Sequence, residues 1–429
     1  MKEFWEKCEK IAFFSLIFLL PTQLGRHFWF DWTSVWGIRV DYFSPTIYLV
    51  DVIWLGWMIL DLINNGKKKK WKFGFEIFWV LVLIGVNILI AQNKWVAGYK
   101  WLRLGELFWF WNWIIRNKRL AQSGWLKAIP FWLIIEGILA IGQVSKGGSL
   151  NGLWWWLGER KFDFNTIGIA QMSVADMGLI RAYGTFSHPN SLAGFLLVNL
   201  VWWVKTKPLS PSETSGQLPL KKGAVIKNIC NSKVFWWLVF WMGLIGIFLS
   251  GSRTIWLLTL VFLVFWGWNA KIESKEKLKG LMVGVLLIIL LVWMINYNYP
   301  LANFFGGWDE NGIMKRGQLN LAAMEMIKES PWFGVGLGNF LVKLPEFQRN
   351  NQIFWFQPVH NILLLIISEI GLLGSGVLVW LMGRKMDWKK WDKWTWLILA
   401  IIFVSGMVDH YWFTLPQNMW LLVLVLGII

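Results

Sequence analysis

Four short polar stretches interrupt an otherwise apolar chain, and each holds residue types that could do chemistry. The densest is RAYGTFSHPNSLAG over residues 181–194. Gly184 and Pro189 punctuate the chain before an apolar run, so a helix starts there, and Ser187 or Asn190 could cap it. A helix N-terminus offers unpaired N–H groups and a positive dipole that suit a phosphate, and Arg181 would add a planar, permanently charged fork. The alternative is a capped helix start with an arginine reaching for lipid headgroups. The second stretch is SGSRT at 250–254. An arginine in so short a hairpin, Arg253, stays close to the flanking helices and needs a partner there, or else binds lipid phosphate. The third, PWFGVGLGNF at 331–340, carries three glycines at alternate positions, which lets backbone approach a ligand or a helix closely. No βαβ pattern surrounds it, so it is no nucleotide fingerprint. The fourth is His360-Asn361, opening an apolar run that continues through SEIGLLG at 368–374. An imidazole at such a mouth suits a general base for a hydroxyl, and a helix-start histidine bonded to a carbonyl is the alternative.

The elements that must hold these stretches are helices in a membrane. Hydrophobic residues make up 56% of the 429, more apolar surface than a soluble chain of this length can bury. A helix crosses the hydrocarbon in about 20 mostly apolar residues. Candidate spans fall at 11–24, 46–63, 73–92, 96–115, 124–144, 188–204, 234–250, 254–270, 280–298, 360–383, 395–412 and 417–429. The expected fold is therefore all-α: one integral membrane domain over 1–429, a polytopic bundle of about twelve spans. The first apolar run, Ile11 to Leu20, follows Lys2, Lys7 and Lys10 with no small-residue cleavage site, and reads as an uncleaved first span. With the N-terminus in the cytoplasm, every inner loop is basic: Lys67 to Lys72, Arg116 to Arg119, Lys205 to Lys233, Lys271 to Lys279, and Arg384 to Lys393. The net charge of +17 is then topological, and no nucleic-acid-binding pattern accompanies it. Both termini fall on the cytoplasmic side.

Two outer segments are long, about 144–187 and 299–359. The second contains Leu319, Ala323, Met326 and Ile327 at helical spacing, stopped by Ser330-Pro331. It predicts an amphipathic helix on the outer membrane surface or packed over the bundle. The inner loop 205–233 is rich in Ser, Pro, Gly and Lys and reads as flexible. Cys8 and Cys230 show no metal spacing and read as free cytoplasmic thiols. Most of the 37 tryptophans suit interfacial belts and packing, and Trp154, Trp155 and Trp156 are the best placed to stack on sugars. All four polar stretches fall on the outer side of a topology that the inner lysines set independently. Two arginines and a histidine there suit transfer from a lipid-linked phosphate donor to a hydroxyl.

Taken together, RAYGTFSHPNSLAGF, SGSRT, PWFGVGLGNF and HN followed by EIGLLG resemble the O-antigen ligase and polymerase family of bacterial membrane glycosyltransferases, in order and spacing, over about 125–380. Leu20-Pro21-Thr22-Gln23 is similar to family members as well. The resemblance implies an enzyme at the outer face of the cytoplasmic membrane. It would move a glycan from an undecaprenyl-diphosphate carrier to a sugar, lipid or protein hydroxyl, with no metal and no cofactor. It implies diphosphate binding by Arg181 and Arg253, acceptor activation by His360, and a further substrate contact at Arg316. Asn190 and Asn361, inside the matching motifs, join these as substrate-binding candidates, while His188 is given no catalytic role. No attached soluble domain points to a protein acceptor, so ligase or polymerase is favoured. The rival readings are a flippase of lipid-linked glycan and a structural scaffold. A buried acidic relay drawn from Asp51, Asp61, Glu136, Glu369 and Asp409 would favour the flippase.

Overall fold

A computed structural model describes residues 2–65, 75–174, 177–206, 232–269, 310–347 and 356–429. The candidate span 280–298, the lysines at 67–72 and 271–279, and most of the 205–233 loop lie outside the described residues. The chain divides into two compact units. One comprises Met1–Gly124, Asp309–Trp391 and Phe403–Ile429, and the other Trp125–Trp308 and Asp392–Ile402.

The described chain is mostly helical, as expected, and adds three two-stranded antiparallel ribbons. Each candidate span other than 280–298 coincides with a helix. Among the described residues two helices, α5 (Lys118–Lys146) and α12 (Ile362–Lys385), are long and apolar enough to cross a membrane. Shorter apolar helices are Phe78–Ile90 within α3 (Phe75–Ile90), α8 (Lys233–Leu249), α9 (Arg253–Asn269), α13 (Lys393–Val408) and α15 (Pro416–Ile428).

In the first unit α1 (Lys2–Phe18) packs on α2 (Leu49–Asn65), and α4 (Lys94–Arg116) packs on α15. The helix α1 stops before the expected limit at 24, in keeping with Pro21, which supplies no N–H and disfavours the helical region at the residue before it. Buried rings join these helices: Phe13 and Trp57 lie 4.5 and 4.9 Å from Trp113, and Phe110 lies 4.9 Å from Trp420. Each such pair adds about 0.5–1.5 kcal/mol beyond the area it buries. The charges of α4 are explained by position, since Lys100, Arg103 and Glu106 recur every three residues on one face. There Arg103 Nη1 reaches Asp51 Oδ1 at 2.6 Å and Glu106 Oε2 at 2.7 Å, so the arginine and the glutamate are paired, while Lys100 Nζ lies 5.7 Å from the Tyr99 ring centre.

The glycine motif is a backbone strap that completes α12. That helix is interrupted at Gly371, whose φ is +68°. The strap fills the interruption: Val335 N–H donates to the Ser368 carbonyl (2.8 Å) and Gly336 N–H to the Glu369 carbonyl (3.0 Å). In return, Leu372 and Leu373 N–H donate to the carbonyls of Pro331 (2.8 Å) and Trp332 (3.1 Å). Asn87, buried on α3, fixes the strap from the side, donating to the Phe333 and Glu369 carbonyls (2.9 Å each) and accepting from Leu337 N–H (2.9 Å). A Cβ on Gly334 would sit 2.5 Å from the Glu369 carbonyl carbon, and one on Gly336 2.5 Å from Ala91 Cβ. Of the two uses foreseen for these glycines, close approach to a helix is the one observed. The amphipathic helix also appears, as α10 (Glu310–Glu329), ending before Ser330-Pro331. It buries Leu319, Ala322, Ala323 and Met326 with α12 as neighbour, while Ile327 is half-buried.

The second unit is built around α7 (Pro189–Thr206), which is buried on all sides and packs on α8 and α9. Its apolar residues continue around the whole helix, the pattern of a central element. Small residues let α5 and α8 touch: a Cβ on Gly137 would lie 2.6 Å from the Met242 carbonyl oxygen. Trp125 stacks on Trp202 at 4.3 Å and donates its indole N–H to Asn199 at 2.7 Å.

Candidate active site

In the second unit the chain reaches Arg181 through a hairpin, β1 (Gln171–Val174) with β2 (Met177–Ile180). Arg181 N–H donates to the Ala170 carbonyl (3.2 Å) and Ala182 N–H to the Leu249 carbonyl (2.9 Å), which ties the hairpin exit to the end of α8. The backbone then turns sharply at Gly184, with φ +57°, a conformation that favours glycine. A side chain there would overlap the Glu136 carboxylate, which accepts the Thr185 N–H (2.9 Å) and hydroxyl (2.6 Å). The guanidinium of Arg181 is held at two points: Nε donates to the Ser250 carbonyl (2.7 Å) and Nη2 to Asn190 Oδ1 (2.5 Å). Two motifs about 70 residues apart thus meet on one side chain. Arg253 opens α9 as the exposed first residue after the Ser250–Ser252 turn, in which Gly251 has φ +63°. Two bonds shape the start of α7. His188 Nδ1 accepts the Asn190 N–H (3.2 Å), while the Asn190 side chain turns to Arg181. The ring offers an acceptor at the right reach, which leaves the amide oxygen for the charged donor.

In the first unit His360 stands just before α12, and Asn361 caps that helix, its Oδ1 accepting from Leu363 (2.9 Å) and Leu364 (3.1 Å) N–H. The His360 Nδ1 atom is buried and faces Asp409 Oδ1 at 3.6 Å, and its Nε2 lies 3.4 Å from Gln357 Oε1. A second imidazole, His410, packs 5.1 Å from the His360 ring, and its Nδ1 pairs with Thr414 Oγ1 at 2.7 Å. Asp409 and His410 leave the helix between α13 and α14 (Tyr411–Thr414), where Asp409 Oδ1 accepts the His410 N–H at 2.8 Å. A side chain that bonds its own backbone competes with helix continuation. Tyr42 closes the group, its ring 5.7 Å from His410. Burial first, then the charges of Asp409 and Asp41, raise the Tyr42 phenol above its ordinary pKa, so it stays protonated. His360, Asp409 and His410 present donor atoms within 4.8 Å of one another, a set able to hold a transition metal or to hand on a proton. Arg316 lies exposed on α10.

The structure thus brings Arg181, Asn190 and the Ser250–Arg253 turn together in the second unit, and His360 with Asp409 in the first, where Asn361 and Arg316 also belong. Sequence reasoning missed His410, Tyr42 and the pairing of Asp409 with His360. The signal available was the Asp-His pair breaking an apolar run shortly before Pro416. Three of the five carboxylates weighed for a relay make local contacts. Asp51 serves Arg103, Glu136 serves Thr185, and Glu369 accepts the Phe340 N–H at 3.3 Å.

Residues 238–380 match the O-antigen ligase family model. An alignment 253 residues long, covering 54% of this chain and 39% of its relative, is 22% identical to the General O-oligosaccharyltransferase of Acinetobacter baylyi. Another of 135 residues, 30% of this chain, is 30% identical to the Probable peptidoglycan glycosyltransferase FtsW of Thiomonas intermedia, covering 30% of it. The chain therefore spans well under half the length of these curated relatives. Arg253, Arg316 and His360 lie inside the family match and Arg181 precedes it; over 238–380 the sequence matches the model of the O-antigen ligase family, the family that the motif string resembles.

Proposed function

We propose that this chain is a multi-pass membrane glycosyltransferase of the O-antigen ligase or polymerase type. It has about twelve spans, both termini in the cytoplasm and its chemistry at the outer face of the cytoplasmic membrane. The donor is a glycan on undecaprenyl diphosphate. The acceptor is a glycan, lipid or protein hydroxyl, and membrane lipid surrounds the spans. The acceptor oxygen attacks the anomeric carbon and forms the new C–O bond as the bond to the diphosphate oxygen breaks. The hydroxyl proton passes to His360, oriented by Asp409, and undecaprenyl diphosphate leaves. A single in-line displacement inverts the anomeric centre. Arg181 and Arg253 stabilise the charge developing on the diphosphate, with Arg316, Asn190 and Asn361 as further substrate contacts.

One observation carries this reading: Arg181 is held jointly by Asn190 of its own motif and by Ser250 of the SGSR turn, as a preorganised anion site requires. The test is incubation of the reconstituted protein with undecaprenyl-diphosphate glycan and candidate acceptors, with released undecaprenyl diphosphate as readout. Arg253→Ala should lower release about 100- to 1000-fold. Near-normal release by a correctly inserted Arg253→Ala protein removes that residue from the mechanism. Transbilayer movement of the glycan without release favours a flippase. The similarity to a protein named General O-oligosaccharyltransferase favours including a protein acceptor among those tried.

A further inference from the structure

Gln143, near the end of α5, is fully buried and divides its amide between two chain segments. Its Oε1 accepts the N–H groups of Tyr183 (2.9 Å) and Gly184 (2.8 Å). Its Nε2 donates to the Gly184 carbonyl and to Glu159 Oε1, each at 2.9 Å. Glu159 in turn accepts the N–H groups of Leu150 and Asn151, both at 2.8 Å. One side chain therefore locks the 149–160 loop to the segment that carries Arg181. The next residue, Arg160, is half-buried and held at two points. Its guanidinium lies 5.5 Å from the Tyr183 ring centre and donates to the Ser187 carbonyl at 3.4 Å. Ser187 and Asn190 belong to one turn, so the guanidinium groups of Arg160 and Arg181 both attach to 187–190. The nearby carboxylates are committed elsewhere, Glu159 to backbone N–H groups and Glu136 to Thr185. Among the described residues no carboxylate pairs with Arg160.

We propose that Arg160 and Arg181 form one phosphate-binding site, with Arg160 as a further guanidinium for the diphosphate of the lipid-linked donor. This rests on the donor assigned above. A guanidinium already fixed by a ring and a carbonyl loses little freedom on binding, and a two-armed anion satisfies two forks better than one. A lipid headgroup phosphate has the same chemistry, so the test includes both sources.

The experiment uses the full chain in nanodiscs and measures binding of farnesyl diphosphate, first in zwitterionic lipid and then with phosphatidylglycerol added. Arg160→Gln should weaken binding about 10- to 100-fold, the loss of one charged hydrogen-bonding contact. Arg160→Lys, which keeps the charge and the stacking stem, should weaken it less, and Arg39→Gln, in the first unit, should leave it unchanged. Unaltered thermal midpoints separate a binding loss from misfolding. Should Arg181→Gln abolish binding and Arg160→Gln leave it intact, the assignment of Arg160 is overturned and the donor reading stands. Should phosphatidylglycerol compete with the probe in the wild type alone, while Arg160→Gln binds the probe normally, Arg160 serves a headgroup and the assignment is again overturned. No binding by the wild type overturns the donor reading and this proposal together.

Discussion

Gly184→Ala offers the sharpest test of how the arginine turn is held. Three costs follow from the geometry. Alanine at φ +57° pays about 1–2 kcal/mol for the left-handed backbone. Its Cβ overlaps the Glu136 carboxylate, which must swing away and forfeit its bonds to the Thr185 N–H (2.9 Å) and hydroxyl (2.6 Å). Each lost bond in this buried setting costs about 1–3 kcal/mol. The sum is about 3–8 kcal/mol before relaxation, enough to displace the turn that leads from Arg181 into α7. The assay is the thermal midpoint of detergent-purified protein, with glycan transfer measured in parallel. The decisive comparison is a double-mutant cycle with Glu136→Ala, which removes both the obstacle and the bonds it made. Gly184→Ala placed on that background should cost only the backbone part. If the two substitutions instead add, the carboxylate is not what excludes a side chain at 184, and the account of this turn is wrong.

Other consequences can be checked alongside. Gly371→Ala, where φ is +68° and a Cβ would overlap the Trp332 carbonyl, should abolish folded protein by size-exclusion chromatography, whereas Gly376→Ala, with open space around it, should leave the elution profile unchanged. Asp409→Asn should lower initial transfer rates about 100- to 10,000-fold, the range for general acid–base catalysis, and a wild-type rate would take Asp409 out of the mechanism. Chelation with EDTA should leave transfer intact if the His360–Asp409–His410 group handles a proton, and a loss restored by zinc would show that it holds a metal. Burial opposes ionisation of Asp392, but bonds from Lys205 (2.9 Å) and Thr395 outweigh it and depress the carboxyl pKa. Its contribution to stability is thus present above the ordinary aspartate pKa and fades as pH falls through the depressed value. Asp392→Asn should lower the thermal midpoint slightly at neutral pH and not at all in strong acid.

Helix positions were legible because an apolar run of spanning length leaves few other options, and each described candidate became a helix. The breaks were not. Residues 19–24 and Gly371 sit in runs whose average hydropathy conceals a local event, namely a proline that denies a donor or a partner strand that supplies the bonds. The same averaging placed Asp409 inside the 395–412 span and left its neighbour His410 unremarked, although both stand in the gap between two helices. The arginine motifs could be read because charge beside apolar sequence is conspicuous. Gln143 and Glu159 could not, since an amide or carboxylate gains its task only from the backbone groups that the fold brings to it, about 40 residues away for Gln143 and from a neighbouring loop for Glu159.

The strap seated in α12 bears on what could pass this way. In carriers, an unwound stretch of a spanning helix coordinates ions because its peptide groups are left bare at that depth. Here the Ser368 and Glu369 carbonyls and the Leu372 and Leu373 amides are already engaged by residues 331–336. The interruption is sealed by the chain's own peptide groups, so it resembles a mortised joint more than a coordination shell. A joint of that kind stiffens the approach to His360, and a route for cargo would have to open elsewhere.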